Sequence, residues 1–89
     1  MLRRPAYEYR LEYLGKLIEL QHREIQQREE EIEQITYMNT GEPGEPLPFH
    51  AVEDIEDIKR QQQRYKQQLQ QYEDEYTDLL VRLAHAKTS

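Results

Sequence analysis

Residues 39–48, NTGEPGEPLP, hold three of the chain's four prolines and two of its three glycines. Proline withdraws a backbone donor and turns the residue before it away from helix, so this stretch is a connector. The flanking sequence is of another kind. Its spacing predicts one helix over about 5–39 and a second over about 48–86, with 40–47 joining them. Each arm is then ~50 Å long at 1.5 Å per residue. Gly41 is expected as a left-handed helix stop, and Pro5 and Pro48 as helix openers. Glu53 and Asp54 fall near the positive end of the second helix.

Outward from the connector, apolar residues recur at alternating steps of three and four. The first arm carries Tyr7, Leu11, Leu14, Ile18, Gln21, Ile25, Arg28, Ile32 and Ile35. The second carries Ile55, Ile58, Gln62, Tyr65, Leu69, Tyr72, Tyr76, Leu79 and Leu83. Both are heptad seams, which bury one stripe of a helix against a partner helix. The fold class is therefore all-α, a two-helix antiparallel coiled-coil hairpin in a single domain over 1–89.

If Ile35 faces Ile55 across the turn, facing residue numbers add to roughly 90. That alignment sets Ile32 against Ile58, Ile25 against Tyr65, Ile18 against Tyr72 and Leu11 against Leu79. The polar interruptions Arg28 and Gln62 meet, whereas Gln21 lands on Leu69. Lys59, Arg60, Arg64 and Lys66 are expected beside Glu24, Glu29, Glu30 and Glu31, and the acids 73–75 beside Lys16. Each exposed pair is worth ~0.2–1 kcal/mol, so charge selects the alignment and apolar burial holds it.

The apolar arc is not of even width. Leu17 and Leu20, with Tyr9 and Tyr13, widen the first arm far from the connector, and Leu80, Val81 and Ala84 widen the second. An arc of that width faces a larger core than one helix supplies. Tyr13, Leu17, Leu20, Tyr76, Leu80, Val81 and Ala84 are the candidate self-association interface of a homodimer or higher homo-oligomer, most economically a four-helix bundle, with a different protein on the same surface as the alternative.

Only 36% of the 89 residues are hydrophobic and 34% are charged, so order here depends on that periodic placement. The net charge of −6 disfavours a general nucleic-acid or anionic-membrane surface. There is no cysteine, hence no disulfide and no thiol chemistry. The apolar runs are too short to span a bilayer, and Glu8 and Glu12 interrupt any signal-peptide core behind the basic start. A cytoplasmic location is the expectation.

Chemistry-bearing patterns are sparse. Glu19 and His22 have the Glu-x-x-His spacing of bundle metal sites, but flank the seam, and glutamines stand where the neighbouring helix needs a carboxylate. His50 and His85 have no Cys or second His nearby. No nucleophile set and no phosphate loop occurs. No enzyme activity, metal or cofactor is expected.

Residues 41–58 contain six acids and no lysine or arginine, with Leu47 and Phe49 among them. Leu47, Phe49, Glu53, Asp54, Glu56 and Asp57 are the candidate docking set for a larger protein partner. The bland alternative folds Leu47 and Phe49 onto Met38 and Val52 to close the hairpin end. The expected function is a non-catalytic protein–protein interaction module, an adaptor, accessory subunit or regulator. The alternatives are an acidic inhibitor filling a basic nucleic-acid-binding groove of a target, and a weak nucleic-acid binder through residues 59–66.

Overall fold

The computed structural model describes residues 5–41 and 44–88, with side chains described as far as Ala86. Glu42 and Pro43 of the connector, and the basic Arg3 and Arg4, lie outside the described residues. The chain forms two helices, α1 over Ala6–Asn39 and α2 over Phe49–Thr88. No helix among the described residues is long and apolar enough to cross a membrane.

Both helices start immediately after a proline. Pro5, at φ −59° and ψ 148°, accepts the Glu8 N–H at 3.0 Å through its carbonyl. Pro48 accepts the N–H groups of Ala51 and Val52 at 3.0 and 3.1 Å. Each ring fixes φ and sacrifices a donor that a helix start leaves unpaired. The connector thus extends through Pro48, and Glu53 and Asp54 fall beyond the first turn of α2, which holds no acid.

The end of α1 differs from expectation. Gly41 does not take a left-handed conformation; the positive φ belongs to Gly44, at 94°. Instead Thr40 leaves the helix at φ −75° and ψ 120°, its N–H bonded to the Tyr37 carbonyl. Three side chains occupy the carbonyls of the last turns. Thr36 Oγ1 donates to Ile32 O and Asn39 Nδ2 to Ile35 O, each at 2.8 Å, and Thr40 Oγ1 donates to Thr36 O. The Thr40 bond covers the Thr36 carbonyl, one of the four that a helix end leaves unpaired, and the helix ends without a left-handed residue.

α1 and α2 pack against each other along their lengths as an antiparallel hairpin. Arg10 reaches Glu75 near one end, and Arg28 reaches Gln61 nearer the other. The buried apolar residues are Leu14, Ala51, Ile55 and Ile58, and Gln21 and Gln62 are buried among them. Every other expected seam residue is half-buried except Tyr7, which is exposed. The result is long and thin, 65 × 24 × 18 Å. Its radius of gyration of 20.0 Å contrasts with ~12 Å for a compact chain of this length.

Candidate interaction surfaces

The middle of the hairpin is joined by a polar layer. Gln62 is 5% exposed, and its Nε2 donates to the Ile25 carbonyl at 3.2 Å and to Glu29 Oε2 at 3.0 Å. Arg28 lies beside it. Its guanidinium bonds Glu24 Oε2 at 2.8 Å and Gln61 Oε1 at 3.3 Å, and sits 4.9 Å from the centre of the Tyr65 ring. These contacts fall within a helical turn of the alignment expected from the seams. Because the donors cross between helices, sliding either helix by one turn breaks several bonds at once.

Gln21 is the counterexample. It is 5% exposed, and its Oε1 is the buried side-chain polar atom left without a partner among the described residues. Gln21 and Gln62 are therefore chemically identical seam interruptions, one with an unpaired acceptor and one bonded across to the other helix.

Charges are arranged differently from expectation. Arg10, not Lys16, meets the acidic block, through a two-pronged contact to Glu75: Nε to Oε1 and Nη2 to Oε2, both at 2.9 Å. This bond lowers the Glu75 pKa and raises that of Arg10. His22 Nε2 lies 3.8 Å from Glu73 Oε1, and Gln70 Nε2 bonds Asp74 at 2.8 Å. In the basic block, Arg60 turns to Asp57 of its own helix, and this bond raises its pKa. Lys59, Arg64 and Lys66 form no ion pair among the described residues, so only Gln62 carries the expected link to Glu29. Sequence spacing locates a charge only to within about a turn and a half, and long flexible side chains choose the best-oriented carboxylate inside that radius. Tyr65, the aromatic within the basic stretch, is half-buried with Arg28 over its ring.

The half nearer the chain termini presents the wide arc. Leu14 is fully buried, and Leu17 and Tyr76 are half-buried. Tyr13, Leu20, Leu80 and Val81 remain 54, 43, 43 and 49% exposed, and Ala84 is exposed. A cleft of about 310 Å³ lined by Tyr7, Leu79, Arg82, Leu83 and Ala86 opens at this end. A second hollow of about 450 Å³ runs along α2 beside Gln61, Arg64, Tyr65 and Gln68.

At the opposite end, Tyr37, Met38 and Phe49 are the most exposed large apolar side chains among the described residues, at 84, 73 and 77%. Val52 is exposed and Leu47 half-buried. Phe49 and Met38 thus do not close over the hairpin end; Pro48 directs the first turn of α2 while Phe49 stays in solvent. Glu53, Asp54, Glu56 and Asp57 are all exposed around them.

Sequence spacing also passes over Ala51, which is fully buried. It stands four residues before Ile55 and so continues the α2 seam to the connector. Glu19, His22, His50 and His85 are exposed, and no group of three His, Cys, Asp or Glu side chains gathers in metal-binding geometry among the described residues. Comparison with models of known protein families, with characterised proteins and with solved structures finds no match to this chain.

Proposed function

We propose that the chain is a non-catalytic protein–protein interaction module that self-associates through its termini-proximal half, as a homodimeric four-helix bundle in the cytoplasm. In this role it serves as an adaptor, accessory subunit or regulator for a larger protein. The observation that carries the reading is the apolar arc Tyr13, Leu20, Leu80 and Val81, which the partner helix leaves about half exposed.

The area argument supports it. The chain exposes 7341 Å², against ~5,600 Å² for a compact monomer of its mass. The excess is of the order that a specific interface removes from each partner, ~800 Å² or more. A second hairpin laid against α1 and α2 over residues 13–20 and 76–84 covers both halves of the arc with one contact and closes by two-fold symmetry.

Light scattering coupled to size exclusion should give twice the chain mass at micromolar concentration. Leu17→Glu combined with Leu80→Glu should return one chain mass with helicity retained, or unfold the protein, because a carboxylate buried in the bundle is costly. Single-chain mass for the native protein at high micromolar concentration would refute self-association.

A further inference from the structure

We infer that the connector end of the hairpin is a docking tip for a protein partner that offers an apolar pocket rimmed by lysine or arginine. Three side chains set this end apart: Tyr37, Met38 and Phe49 expose 84, 73 and 77% of their surface. They stand on the last turn of α1 and the first residue of α2, at the connector end of the hairpin. Aromatic and methionine side chains are the types that dominate interface cores, and an exposed cluster of them costs a lone protein solubility.

The charge around the cluster identifies what covers it. No lysine or arginine occurs from Glu29 to Ile58, a span that includes the exposed Glu45, Glu53, Asp54, Glu56 and Asp57. His50, also exposed, is the one basic type in the span. A second copy of this chain would set the same acids facing one another across the two-fold axis. Anionic lipid and nucleic acid are repelled for the same reason. A basic rim, by contrast, is attracted from a distance and leaves the acids in solvent at the edge of the contact.

Each helix end at the tip is also anchored. Thr36, Asn39 and Thr40 tie the end of α1 to its own backbone, and the Pro48 carbonyl starts α2. A side chain on an ordered helix end loses little backbone freedom on binding. The inference rests on the adaptor part of the proposal above and not on self-association, whose residues lie at the far end of a 65 Å molecule. The two fail separately.

The test selects a phage-displayed random peptide library on the full chain, with counter-selection against the Phe49→Ser protein. Because Phe49 and Met38 are solvent-exposed, their substitution leaves the hairpin folded. Enriched peptides should combine lysine or arginine with large apolar residues. A synthetic copy should lose at least about tenfold in affinity against Phe49→Ser or Met38→Ser, and should also weaken as salt is raised. Binding should persist in the Leu17→Glu, Leu80→Glu protein where that protein keeps its helicity. The inference is overturned if no peptide prefers the native tip or if the preferred peptides lack net positive charge. It is equally overturned if Phe49→Ser changes the oligomeric mass, which assigns the tip to a second copy, or releases the chain from lipid vesicles.

Discussion

The two halves of the hairpin contrast in an unexpected direction. The connector-proximal half has the thinner apolar stripe, yet Ala51, Ile55 and Ile58 there are buried. The termini-proximal half is richer in apolar residues, but among the described ones only Leu14 is buried, while Leu20, Leu80 and Val81 stay 43–49% exposed. A single partner helix covers one stripe. It is therefore the angular width of an apolar face, more than the number of apolar residues, that decides whether a two-helix pairing is complete. Ile55 and Ile58 find cover within the chain, whereas Leu80 and Val81 do not.

The largest expected effect tests burial directly. Leu14→Ala and Ile55→Ala each remove a buried side chain and should cost about 2–5 kcal/mol in urea unfolding at any protein concentration. Leu80→Ala should behave otherwise. In dilute protein it should lie within about 0.5 kcal/mol of the parent, and the loss should grow as concentration drives association. Equal, concentration-independent losses at Ile55 and Leu80 would erase the contrast between the halves.

Next in size come the buried glutamines, one near each side of the middle. Gln21 leaves an acceptor unpaired, so Gln21→Leu should stabilise the hairpin by about 1–2 kcal/mol. Gln62 bonds the Ile25 carbonyl and Glu29, so Gln62→Leu should give no such gain. It should instead loosen the alignment of the helices. Cysteines placed by Ile25→Cys and Tyr65→Cys report on this: intramolecular cross-linking should be efficient beside Gln62 and slower beside Leu at that position. A stabilisation of the same size from both leucine variants would show that the cross-helix bonds contribute nothing to register.

Periodicity carried the reading of the fold because a heptad repeat states both the helix and the face it buries. The positions of α1 and α2, their packing against each other and the placement of Arg28 near Gln62 follow from that spacing and the proline-rich turn. What escaped it has physical causes. Ala51 is not legible in the spacing because a small residue gives little apolar signal, although it is fully buried. Gly41 drew attention as a stop because side-chain capping by Thr36, Asn39 and Thr40 resembles ordinary polar sequence until the backbone is in place. Gln21 and Gln62 are indistinguishable as letters; only the position of a neighbouring carbonyl and carboxylate makes one satisfied and the other not. The charge pairs were legible as blocks but not as partners, since Arg10 and not Lys16 has the length and fork to meet both oxygens of Glu75.

That last pair supplies the smallest and most condition-dependent prediction. The Arg10–Glu75 fork is the termini-proximal counterpart of the glutamine layer, a directional contact between α1 and α2, but it lies on the surface, with the two side chains 44 and 41% exposed. Its bond lowers the Glu75 pKa in the folded chain relative to the unfolded one. The stabilisation is accordingly complete above the ordinary glutamate value of ~4.3 and fades as pH falls through the lower folded value. Arg10 stays protonated throughout, its own pKa being raised by the same bond. Thermal melts of the native chain and of Glu75→Gln should therefore differ by a small constant amount from neutral pH down to about 5, then converge as the medium is acidified below about 4. Added salt should shrink the difference at neutral pH, because exposed charges are screened. A difference that persists unchanged into strong acid would mean that Glu75 acts through packing, and directional contacts would then be confined to the connector-proximal half.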